Sequence, residues 1–158
     1  VSEVVFLGYP DQTLEDKEDF RRSIVREIRN HKPNTLVTCD PNRKYINHRD
    51  HRITGRVTLD AVYPFARDHL SFPEHLKEGL EPHKVREVYL WGSDEPDCFL
   101  EISEKAFKAK RDALFCHFSQ FGERNENRES AARVTPERIG KKIGVPLAEQ
   151  FKLINLGG

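Results

Sequence analysis

At 158 residues the chain is long enough for one domain with a real core. Its 26 basic residues balance its 26 acidic ones, so no global field draws it to nucleic acid or to an anionic membrane, and any partner is recognised locally. The longest apolar run, residues 4–7, is far short of the ~20 residues that span a bilayer, and nothing before it reads as a signal peptide.

Cys39, Cys98 and Cys116 are too widely spaced for a disulfide framework or a Cys-x-x-Cys zinc site, so the expectation is reduced thiols in a cytoplasmic protein. A hydrophobic fraction of 37 % beside 33 % charged residues predicts a small core under a charged surface, or a chain that is part of something larger. The absence of methionine and the opening Val1 hint that residue 1 is not the start of the gene product.

In chain order, Val4-Val5-Phe6-Leu7 is β-prone and closed by Gly8, Pro10 and Asp11, which predicts a buried strand ending in a turn. From Glu15 to Asn30, Phe20, Ile24, Val25 and Ile28 recur at helical spacing, and Pro33 closes the segment. Leu36 to Cys39 reads as a second strand. After the polar loop Asp40 to Asn47 comes a helix with Ile53, Val57, Ala61 and Val62 that ends near Pro64.

Residues 72–82 read as an irregular connection, Val85 to Trp91 as a strand and Cys98 to Ile102 as another. Ser103 caps a helix running towards Gln120, and Gly122 to Ser130 is a polar loop or fraying helix end. Thr135-Pro136-Glu137 has the form of a helix start, and Phe151 to Leu156 is β-prone. This alternation predicts an α/β fold, a Rossmann-like sheet with helices on both faces, with ligands outside the carboxyl ends of the strands.

The chemistry concentrates in Asn47-His48-Arg49-Asp50-His51-Arg52. With Asn47 as N-cap, His48 and His51 lie three apart on one helical face, and the positive end of the helix dipole keeps an imidazole neutral and able to bind a metal. Asp50 could fix an imidazole tautomer. Equally, Asn47 and Asp50 resemble a capping pair, and the histidines can be ordinary surface residues.

Val5-Phe6-Leu7-Gly8-Tyr9-Pro10-Asp11, His48-Arg49-Asp50-His51-Arg52 with Gly55, Lys110, Ala113-Leu114, His117-Phe118-Ser119-Gln120 and Ala148-Glu149-Gln150-Phe151 together resemble the LmbE-like (PIG-L-like) zinc deacetylases in order and spacing. The resemblance implies a Rossmann-like fold, one Zn2+, and hydrolysis of the N-acetyl group of N-acetylglucosamine-type conjugates or related amides. It implies that His51 is a zinc ligand, that His48 stabilises the oxyanion beside the metal, and that Asp11 contacts sugar hydroxyls. Tyr45, three residues before His48, is a candidate substrate contact, with packing of the loop as the alternative.

The family's other two zinc ligands and its general base come from an Ala-His-Pro-Asp-Asp-Glu segment that has no counterpart here. The expectation is therefore a single LmbE-like domain over residues 1–158 that corresponds to the C-terminal two thirds of the family domain and lacks the first βα portion. His69 with Asp68, His75 and His83 read as ordinary surface histidines, and the Arg124 to Lys142 charges as a solvated face rather than a nucleic-acid stripe. Trp91 reads as core at a strand end. The alternative function is a non-catalytic LmbE-like domain that binds a sugar or a partner chain, with a free strand edge that favours association, including with a second copy.

Overall fold

The computed structural model describes residues 1–45 and 48–157. In chain order its elements are α1 (Glu18–His31), β1 (Thr35–Cys39), α2 (Arg49–Asp60), α3 (Pro73–Lys77), β2 (Glu87–Trp91), β3 (Cys98–Glu101), α4 (Glu104–Phe115), α5 (Phe118–Phe121), α6 (Glu126–Ile143) and β4 (Ala148–Asn155). They form two compact units, residues 1–95 with the chain from 152 onward, and residues 96–151.

In the first unit α1 buries Phe20, Val25 and Ile28 on one face, and Glu18, Asp19 and the terminal Arg29 and His31 complement its dipole. Lys32 ends it in the left-handed conformation (φ 48°), donating its N–H to Ile28 O directly before Pro33. β1 and β2 run parallel, with Thr35 opposite Glu87 and Cys39 opposite Trp91, and α2 supplies the helical crossover that parallel strands require. Residues 152–155 of β4 pair antiparallel with β2, which makes the fold mixed α/β.

The core joins Val25 and Ile28 of α1, Ala61 and Val62 beyond α2, and Val88 and Leu90 of β2. Each fully buried valine contributes roughly 1.5–3 kcal/mol relative to exposure. Past Asp60 the helix breaks at Tyr63, whose backbone is extended (φ −146°, ψ 121°) directly before Pro64, a residue with no N–H to give.

The connection that follows is held by a buried cation. Arg29 has no exposed surface and donates to the carbonyl oxygens of Phe65 (3.1 Å), Ala66 (3.4 Å), Asp68 (2.7 Å), Ser71 (2.9 Å) and Phe72 (3.4 Å). A guanidinium cannot shed its proton, so converging carbonyl dipoles are what make its burial tolerable.

In the second unit β3 pairs antiparallel with residues 148–151 of β4. Ser103 caps α4 as expected, its Oγ accepting from Ala106 N at 3.1 Å. Phe107 of α4 is buried beneath the guanidinium groups of Arg111 and Arg133.

Four expectations are corrected. Residues 4–7 form no strand and are largely exposed, because a β-prone run becomes a strand only when a neighbour takes up its N–H and C=O groups, and no described strand does. The 72–82 connection contains the short helix α3, started by Pro73 at its first turn. His75 is fully buried rather than on the surface. Pro136 lies inside α6 instead of starting a helix, since Asn125 Oδ1 accepts from Arg128 N at 3.1 Å and caps the helix eleven residues earlier. No described helix is long and apolar enough to cross a membrane.

Candidate functional site

The site is built where the carboxyl ends of β1 and β2 meet the first turn of α2. Asn47, the expected N-cap, lies outside the described residues. The helix begins at Arg49 with His48 in the N-cap position, one place later in the chain than expected, and His48 Nδ1 accepts from Asp50 N at 3.2 Å. In a neutral imidazole whose Nδ1 is an acceptor, the proton sits on Nε2. His48 is exposed, so it offers an N–H donor beside a helix N-terminus.

His51 stands one turn along. Its exposed ring lies 5.1 Å from that of His48 and 5.3 Å from that of Trp91, the latter edge-on at 75°. No hydrogen bond joins either of its ring nitrogens to another described residue. Its backbone is pinned from below, where Cys39 Sγ donates to His51 O at 2.6 Å. Burial pushes the Cys39 thiol above its ordinary value, which keeps it protonated and a donor.

Gly55 lets α2 come this close. A methyl group there would overlap the Cys39 carbonyl oxygen and press on Pro41 Cδ at 3.1 Å. Glycine is required for the approach.

Asp50 is buried, but its carboxylate does not orient an imidazole. Its Oδ2 accepts from Gln12 N at 2.6 Å, so the side chain ties the Gly8 to Leu14 loop to the start of α2, and the tautomer of His48 is set by the Asp50 backbone instead. The neighbouring Arg49 guanidinium reinforces the tie by donating to Leu14 O. Asp11 is exposed in that loop and lines, with Asp50, Phe20, Ile24 and Thr54, a cavity of about 450 Å³. Tyr45 is wholly exposed with φ 62° and packs against nothing among the described residues, so it does not brace the loop.

Within the first unit the other histidines have partners or surroundings of their own. His69 is exposed 3.9 Å from Asp68, and His83 Nε2 lies 2.8 Å from Pro33 O. His75 is buried with both ring nitrogens unpartnered among the described residues, and burial followed by the nearby Arg26 and Arg29 pushes it below its ordinary value. His117 precedes α5, and the Lys110 ammonium pairs with Glu149 in the second unit.

A catalytic zinc takes about three protein ligands. Among the described residues no three His, Cys, Asp or Glu side chains converge on one point. His51 fits one ligand position and His48 an adjacent donor, but the described residues do not make a complete zinc site. Sequence reasoning singled out neither Cys39 nor Gln12 as part of this mounting, and it put Trp91 in the core although the residue is 41 % exposed at the site. The signal for Trp91 was its place at a strand's carboxyl end.

Residues 1–62, which hold this whole constellation except Trp91, match the family model PIG-L: GlcNAc-PI de-N-acetylase. Over 155 residues the chain is 32 % identical to diacetylchitobiose deacetylase of Thermococcus kodakarensis, spanning 98 % of this chain and 57 % of that protein. Its fold matches the N,N'-diacetylchitobiose deacetylase of Pyrococcus horikoshii complexed with its inhibitor MPG, with TM-score 0.80 and 26 % identity over 93 % of this chain and 55 % of that one. The conserved protein TT1542 of Thermus thermophilus shares the fold at TM-score 0.73 and 23 % identity, over 92 % of this chain and 63 % of that one. The chain thus spans a little over half the length of the deacetylases it matches. The resemblance read from the motifs holds.

Proposed function

We propose that this chain, which carries PIG-L family sequence in residues 1–62, is part of a hydrolase that removes an acetyl group from N-acetylglucosamine-type conjugates or related amides. The observation that carries this is the pairing of His48, whose Nε2–H is freed for donation by the Asp50 N–H, with His51, whose ring nitrogens no other described residue engages. Two imidazoles in different hydrogen-bonding states on one helical turn suit two different tasks.

In amide hydrolysis water adds to the carbonyl carbon and charge builds on its oxygen. The Nε2–H of His48 donates to that oxygen, and the helix N-terminus adds partial positive charge at the same place; one such donor is worth about 10²–10³ in rate. Zinc belongs to the proposal as the metal for which His51 offers one ligand, and when bound it supplies activated water at neutral pH. Among the described residues no group of three His, Cys, Asp or Glu side chains completes a metal site around it. Asp11 and Tyr45, both exposed, are the proposed contacts to sugar hydroxyls, and Asp50 holds the Asp11 loop against the helix.

The shortage of ligands favours a second reading, in which the domain binds an amino sugar or a partner chain without catalysis. His51→Ala in the full-length protein, assayed for zinc stoichiometry and for deacetylation of N,N'-diacetylchitobiose, separates the two. The catalytic reading expects both to fall sharply. Full zinc content with undiminished deacetylation would overturn it.

A further inference from the structure

His51 is exposed and has no ring hydrogen bond among the described residues, yet its ring is in contact with two others. Cys39 and Trp91 are register partners in the parallel pair β1 and β2. From these adjacent positions Cys39 grips the His51 carbonyl through its thiol, and Trp91 meets the His51 imidazole edge-on at 5.3 Å. Two neighbouring strand ends thus hold the backbone and the side chain of the same residue.

Trp91 is the chain's one tryptophan, and it is not part of the buried core cluster. The residue is 41 % exposed at the end of β2, where Gly92 (φ 74°) turns the chain away and the Trp91 carbonyl accepts from Asp40 N at 2.9 Å. Trp91 thus sits at a strand rim, held there by its backbone, with its ring against the His51 imidazole. What it supplies is geometry, since edge-to-face contact favours particular ring orientations.

We propose that Trp91 is a positioning residue that confines the His51 imidazole to one rotamer at the mouth of the site. Its relevance to hydrolysis rests on the deacetylase reading above, whereas its hold on His51 does not. An imidazole that is confined before substrate arrives loses less freedom on reaching its working orientation.

The test is NMR on the 158-residue chain, reading the His51 χ1 couplings and ring-proton shifts in wild type, Trp91→Phe and Trp91→Ala. The expected result is one rotamer with ring-current-shifted protons in wild type, largely kept in Trp91→Phe and averaged in Trp91→Ala, with amide shifts elsewhere unchanged. Should alanine cost the fold, Trp91→Leu fills the space without a π face and gives the same comparison. A single His51 rotamer that persists without the aromatic ring would overturn the proposal.

In the full-length protein the same substitution is expected to lower kcat for diacetylchitobiose about 2- to 12-fold, the size of one edge-to-face contact, with KM little changed and with rescue by phenylalanine. Loss of the NMR signature with kcat unchanged would overturn the part of His51 in deacetylation and leave Trp91's hold on it standing.

Discussion

Replacing Gly55 by alanine sets two effects of opposite sign against each other. At an exposed position inside a helix, Gly→Ala stabilises by about 1 kcal/mol, because glycine loses more backbone freedom on folding. At Gly55 the new methyl would overlap the Cys39 carbonyl oxygen and stand 3.1 Å from Pro41 Cδ and 3.2 Å from Pro41 N. Those are main-chain and proline-ring atoms at the end of β1, which cannot swing aside as the tip of a lysine would. Overpacking costs about 1–3 kcal/mol, and a backbone obstacle places this case at the upper end, so the net expectation is a loss of about 2 kcal/mol.

For a chain of this length that loss lowers Tm by roughly 4–8 °C. Urea and thermal melts followed by circular dichroism measure it. A second readout is the Cys39 thiol, buried now and donating to His51 O, which should react faster with a thiol reagent once α2 is pushed off the strand. Gly55→Ala that is more stable than wild type by about 1 kcal/mol, with Cys39 still protected, would refute the close-approach argument.

Arg29→Met is expected to destabilise by at least about 3 kcal/mol, because it leaves the carbonyls of Phe65, Ala66, Asp68, Ser71 and Phe72 without their shared donor; chemical denaturation checks this, and a loss under 1 kcal/mol contradicts it. His75 predicts an acid limb in stability. Its folded value is pushed below the ordinary 6.5, so above that pH it is neutral in both states, and as pH falls the unfolded chain takes up the proton first. Stability should therefore drop between pH 6.5 and the lowered folded value, by up to about 1.4 kcal/mol per pH unit, and His75→Phe should flatten that limb. Denaturation midpoints across pH for the two proteins decide it, and identical slopes would exclude His75 as the source.

Much of the fold was legible where local signals and packing agree. The apolar spacing of Phe20, Val25 and Ile28, the Ser103 cap and the β-branched run in β1 each specify an element that tertiary contacts then use. Reading failed where the deciding partner is distant in the chain. Residues 4–7 have every strand propensity and no strand beside them among the described residues, and Asn125 overrules Pro136 as the start of α6 because a side-chain cap satisfies end groups that a proline cannot.

For the site, the sequence alone determined the ingredients: two imidazoles three residues apart at a helix start, a carboxylate between them, and an aspartate in the loop after the first apolar run. Residue type and spacing are local properties, and local properties survive in a string of letters. Tertiary structure decided what each ingredient does. It turned the Asp50 carboxylate to Gln12, left the His48 tautomer to a backbone N–H, buried His75 beside Arg29, and brought Cys39 and Trp91 from two strands to opposite ends of His51. Those roles depend on which groups satisfy one another's hydrogen bonds and ring contacts between separate stretches of chain, 12 residues apart for Cys39 and His51 and 38 for Gln12 and Asp50, and the register of β1 with β2 and the close approach of α2 set the contacts at His51.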